Sequence, residues 1–120
     1  MDRALFRRGI SLFNSGAFFE AHEVLEDVWR ECVSEEKKAL QGLVQLAVAF
    51  HHHSTGNNVG ACSLLEKAER NLSGSGRAIE AIDMTRLLET ISEWRRALQD
   101  GTAPPPFPQL DMPDAKIAVP

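Results

Sequence analysis

Between Gly16 and Arg30 the sequence GAFFEAHEVLEDVWR sets an imidazole and a carboxylate four residues apart, His22 and Glu26. One helical turn separates residues at that spacing, so both project from the same flank of a helix. The pair has the chemistry of an acid–base couple or of two metal ligands, with Glu23 or His52 able to complete a ligand set. Downstream, Gln41, Gln45 and His52 are spaced by four and then seven and fall on one narrow stripe of a second helix. Glutamine amides donate and accept together, which suits an amide or nucleobase edge better than a phosphate.

Three readings of this constellation stand side by side. In the first, Glu26 takes donors from His22, Gln41 and Gln45, and the group is a buried network that fixes helix register. In the second, Phe19 and Trp29 wall a pocket in which His22, Glu26, Gln41, Gln45 and His52 orient a small polar molecule. In the third, His22, Glu23 and Glu26 serve a metal-dependent or acid–base enzyme. HEVLE departs from the HExxH zinc motif at its last position, where Glu26 stands in place of histidine. No serine or cysteine nucleophile is patterned beside a base. His51, His52 and His53 point about 100° apart on a helix and so cannot converge on one ion; only His52 shares the glutamine stripe.

The elements that must position these residues follow from apolar spacing. A first helix runs from about Asp2 to Phe13, with Leu5, Phe6, Ile10, Leu12 and Phe13 inward. Asn14-Ser15-Gly16 ends it, glycine suiting a left-handed position. A second helix takes Ala17 to about Val33. Phe18, Ala21, Val24, Leu25, Val28, Trp29 and Cys32 lie on one side of it, and His22 falls within that arc. A third, about Glu35 to Ser54, is apolar nearly all round and belongs in the middle. A fourth covers about Val59 to Leu72. A fifth ends near Gln99 and starts anywhere from Arg77 to Met84, after the flexible Ser73-Gly74-Ser75-Gly76. Pro104, Pro105, Pro106, Pro108 and Pro113 forbid helix in the last twenty residues. Phe107 and Leu110 are the residues to pin that tail on the bundle, with the far end disordered.

Hydrophobic residues at 43% and charged ones at 25% describe an ordinary globular domain of 120 residues. A net charge of −4 lacks the basic stripe of a nucleic-acid binder and the pull toward an anionic membrane. Cys32 and Cys62 have neither CxxC spacing nor a disulfide framework around them, and no signal peptide or transmembrane run is present, so a cytoplasmic location is expected. No cofactor is indicated.

Sliding the chain by 40 residues superposes Gly16 on Gly56, Ala21 on Ala61, Leu25 on Leu65, Glu26 on Glu66 and Arg30 on Arg70. Two hairpins built alike are expected, each with a glycine turn, a small alanine at the seam and a leucine filling it. Gly9, Gly16, Phe18, Ala21 and Val28 resemble the small–aromatic–small pattern of a tetratricopeptide repeat, with Asn58 in place of the aromatic in the second copy.

From about Ile10 to Leu72 the chain resembles the domain-of-unknown-function family 309. The likeness rests on Phe18, Glu20, Ala21, His22, Glu23, Leu25, Glu26 and Trp29, followed by Gln41, Gly42 and Gln45. The resemblance implies a small all-helical protein of prokaryotic or plastid type and supplies no reaction. The expectation is therefore an all-α five-helix bundle over residues 1–100, made of two similar hairpins and a closing helix. An extended Pro-rich tail covers 101–120. The expected function is that of a helical binding module, with the polar site between its second and third helices, for an unknown protein or a small polar molecule, as a monomer or homodimer. The alternative is the enzyme using His22, Glu23 and Glu26.

Overall fold

A computed structural model of the chain describes residues 1–75, 79 and 81–111. Its helices are α1 (Arg3–Asn14), α2 (Phe18–Glu31), α3 (Glu36–Ser54), α4 (Asn58–Ser73) and α5 (Met84–Asp100). Among the described residues there is no strand. Local chemistry sets the boundaries. Asp2, Asn57 and Asp83 each accept a backbone amide three residues on, from Leu5, Gly60 and Arg86, and so start α1, α4 and α5. α2 stops two residues short of Val33 because Cys32 is already extended, and Ser34 Oγ then takes the amide of Glu36 at 3.2 Å to open α3. The expected flexible Gly76 and the chain end beyond Asp111 lie outside the described residues.

The 40-residue repeat appears as one turn made twice. At the first, the amide of Gly16 bonds Phe13 O at 3.0 Å and that of Ala17 bonds Leu12 O at 2.9 Å. At the second, Gly56 bonds His53 O at 3.0 Å and Asn57 bonds His52 O at 2.8 Å. Both glycines sit in the left-handed region, at φ 86° and 85°, as this helix-terminating motif requires.

The helices pack in chain order, α1 on α2, α2 on α3, α3 on α4 and α4 on α5. α3 carries the middle of the core, burying Ala39, Leu40, Leu43, Leu46, Ala47, Ala49 and Phe50. Each fully buried leucine of this set is worth about 1.5–3 kcal/mol. Arg95 of α5 reaches α4, donating to Glu69 and, at 3.4 Å, to Glu66. After Gly101, whose φ is 70°, Thr102 to Asp111 return along α5 without helix. Leu110 is buried at the end of that path.

Candidate functional site

Phe19, His22, Glu26 and Trp29 occupy one stripe of α2 at helical spacing. Two contacts fix its register against antiparallel α3. At one end the Phe19 ring meets His51, centroids 5.2 Å apart. At the other, Lys37 Nζ stands 4.5 Å from the centre of the Trp29 ring, a contact worth roughly 0.5–1 kcal/mol. Lys37, Val44, Val48 and His51 share the matching face of α3, and all four are half-buried.

The polar residues on this seam have partners other than those the spacing suggested. His22 Nδ1 donates to the Phe19 carbonyl at 2.8 Å, so the neutral ring carries its hydrogen there and keeps only Nε2 for anything else. Glu26 pairs with Arg30 at 3.1 Å, and Arg30 also holds Asp27 at 3.0 Å. Gln45 turns toward α4, accepting from Asn71 Nδ2 at 2.7 Å. Gln41 and Glu23 are exposed. His52 has its ring 6.2 Å from that of His51.

The expected buried network of His22, Glu26, Gln41 and Gln45 is therefore corrected: among the described residues no polar or charged residue is fully buried. His22 and Glu26 sit at the rim of the α2 arc, whose centre is Ala21, Leu25 and Val28. Nor do any three His, Cys, Asp or Glu side chains among the described residues lie close enough together to hold a metal ion.

One buried side-chain polar atom on the seam lacks a partner among the described residues. The Trp29 indole N–H is buried and finds no acceptor among the described residues, a deficit of about 1–3 kcal/mol. Phe19, by contrast, stands 47% exposed, its ring propped by His22 at 5.1 Å and by His51.

Open cavities lie elsewhere among the described residues. One of about 560 Å³ runs between the start of α1 and the end of α2, lined by Asp2, Leu5, Asp27, Val28, Arg30 and Glu31. Another of about 400 Å³ separates α5 from the returning tail. Residues that spacing alone did not single out are Lys37, whose partner Trp29 lies across the α2–α3 connection, and Asn71 and Asn14, whose partners are distant in sequence. In sequence Asn14 reads only as part of a helix stop, and no periodic signal marks it as a tertiary contact.

Residues 6–64 match the model of the family described as "Domain of unknown function (DUF309)". That segment belongs to the DUF309 family. The α2–α3 seam lies entirely inside the DUF309 segment. Among curated relatives, "Uncharacterized protein YpuF" of Bacillus subtilis (strain 168) is 41% identical over 75 residues, covering 60% of this chain and 43% of that protein. An "Uncharacterized protein" of Aquifex aeolicus (strain VF5) is 28% identical over 104 residues, covering 86% of this chain and 31% of that protein. The chain thus spans less than half the length of either relative. Neither the family's description nor the name of either relative states a reaction.

Proposed function

We propose that the chain is a helical interaction module that docks a polypeptide partner on the α2–α3 seam. Phe19 carries the reading. A large apolar ring held half out of water by two histidines is poorly placed for folding and well placed for a partner, since aromatic rings dominate the buried centres of interfaces. Half-buried Val44, Val48 and Trp29 extend the same face, and Glu26 with Arg30 gives it a charged rim. The proposal includes a cytoplasmic setting, in keeping with two unbridged cysteines and net acidity. Among the described residues no helix is long and apolar enough to cross a membrane. No observation favours a reaction at His22, Glu23 and Glu26.

A photo-crosslinking residue at the exposed position Glu23, beside Phe19, tests the reading in cells of the source organism. A discrete protein adduct is expected there, lost when Phe19→Ala is added and absent when the label sits at Val59, 85% exposed on α4. An adduct indifferent to Phe19→Ala would remove the seam as the docking face.

A further inference from the structure

The tail is held as peptides are held in binding grooves, and by few contacts. Phe107 inserts its ring among side chains from three helices: Phe18 of α2 at 4.9 Å, Phe50 of α3 at 5.0 Å, and Trp94 of α5, stacked at 5.0 Å and 15°. His53 closes a fourth side at 6.3 Å. The Trp94 indole N–H reaches the carbonyl of Pro106 at 3.4 Å. Three residues past the ring, Asn14 grips the backbone of Leu110 from both sides. Its Oδ1 accepts the Leu110 amide at 2.7 Å, and its Nδ2 donates to the Leu110 carbonyl at 2.8 Å. Gln109 adds a bond to the Asn14 carbonyl at 3.3 Å.

Aromatic walls, an indole N–H on a carbonyl and an amide on the main chain are the means by which grooves hold proline-rich ligands. Proline limits the ligand's freedom beforehand and so lowers the ordering cost. Two further observations separate the seat from its occupant. Asn14, Phe18, Phe50 and His53 lie within the segment that matches the family, whereas Trp94 and the tail lie outside it. The tail also stands off the first half of α5 across the cleft of about 400 Å³, lined by Ile82, Arg86 and Thr90, and Phe107 remains 38% exposed.

We propose that this seat is a binding site for an extended segment of the form Pro-Phe-Pro-x-Leu, and that the chain's own tail fills it as an intramolecular ligand which a partner's segment displaces. The site lies at the end of the bundle, where Phe18 points, and is distinct from the face on which Phe19 stands. The short link through Gly101 places the tail at an effective concentration of about millimolar. A partner therefore succeeds by tighter contacts or by being tethered nearby.

The test uses the full chain with Phe107→Ala and Leu110→Ala, which removes the tail's anchors and leaves the seat intact. The probe is a fluorescent synthetic peptide of residues 102–111, followed by anisotropy. It is expected to bind this variant roughly tenfold or more tightly than the wild type, whose seat is filled. Adding Asn14→Ala to the variant should weaken binding about tenfold, through two lost hydrogen bonds. A peptide with the same residues scrambled should not bind. Circular dichroism confirms that the variant folds; should it not, Leu110→Ala alone takes its place in the same titration. Equal affinity for wild type and vacated chain, or no binding to a folded vacated chain at millimolar peptide, overturns the proposal.

Discussion

The two hairpins, α1–α2 and α3–α4, share a turn to within 1° in glycine φ and a tenth of an ångström in the shorter of the two turn hydrogen bonds. Their second helices bury the same positions: Ala21 and Ala61, Leu25 and Leu65, Val28 and Ala68. They part company just after the glycine. In the second hairpin, Asn57 caps α4 and Asn58 Oδ1 accepts from His53 Nδ1 at 2.9 Å, so the turn closes on itself. In the first, Ala17 provides no side-chain cap, and Phe18 and Phe19 follow, one aimed into the aromatic seat and the other left in water. The scaffold is repeated where packing demands it, and the copies differ where a helix start can hold something else.

This comparison can be broken at its strongest point first. Leu25→Ala and Leu65→Ala remove fully buried side chains from equivalent positions. Each is expected to cost about 2–5 kcal/mol in urea-induced unfolding, depending on how far the site collapses. A loss confined to one of the pair would show that the seams are not equivalent. The caps sharpen the difference next. Asn57→Ala should destabilise by about 0.5–2 kcal/mol, whereas Ala17→Asn should stabilise by up to about 1 kcal/mol, supplying the acceptor that α2 lacks. Opposite signs in thermal melts are the result to look for. The smallest effect belongs to Glu26→Gln and Glu66→Gln, which break the matching surface pairs with Arg30 and Arg70 and, for Glu66, a further exposed pair with Arg95. Each should change stability by less than about 0.5 kcal/mol. A loss of several kcal/mol at Glu26 alone would restore it to a buried network.

The helices were legible because their signals are local. Gly16 and Gly56 donate to carbonyls three residues back, Asp2 and Asp83 accept amides three residues on, and leucine spacing marks the inward side without reference to any neighbour. The polar stripe was less legible for a reason residing in α3. A helix apolar on nearly every side has no wet face from which its rotation can be judged, so Gln45 could be placed on a stripe but not assigned to Asn71 of α4. His22 lay inside the α2 arc by angle, yet its ring finds an acceptor within its own helix at Phe19 O and gains nothing by turning inward. Phe107 and Leu110 were readable as anchors, being the large apolar side chains in a run of prolines. Their receptor was not, since Asn14 meets Leu110 only once the whole chain has folded back.

Because Asn14 holds main-chain atoms alone, it is indifferent to which side chain position 110 bears and sensitive only to a residue lacking an N–H. One codon changed to proline there would remove the Oδ1 half of that clasp and leave its Nδ2 half, the Phe107 ring and the five rods in place. Body and strap are thus held differently, the first by its interior and the second by one inserted ring, one buried leucine and a clasp on bare main chain.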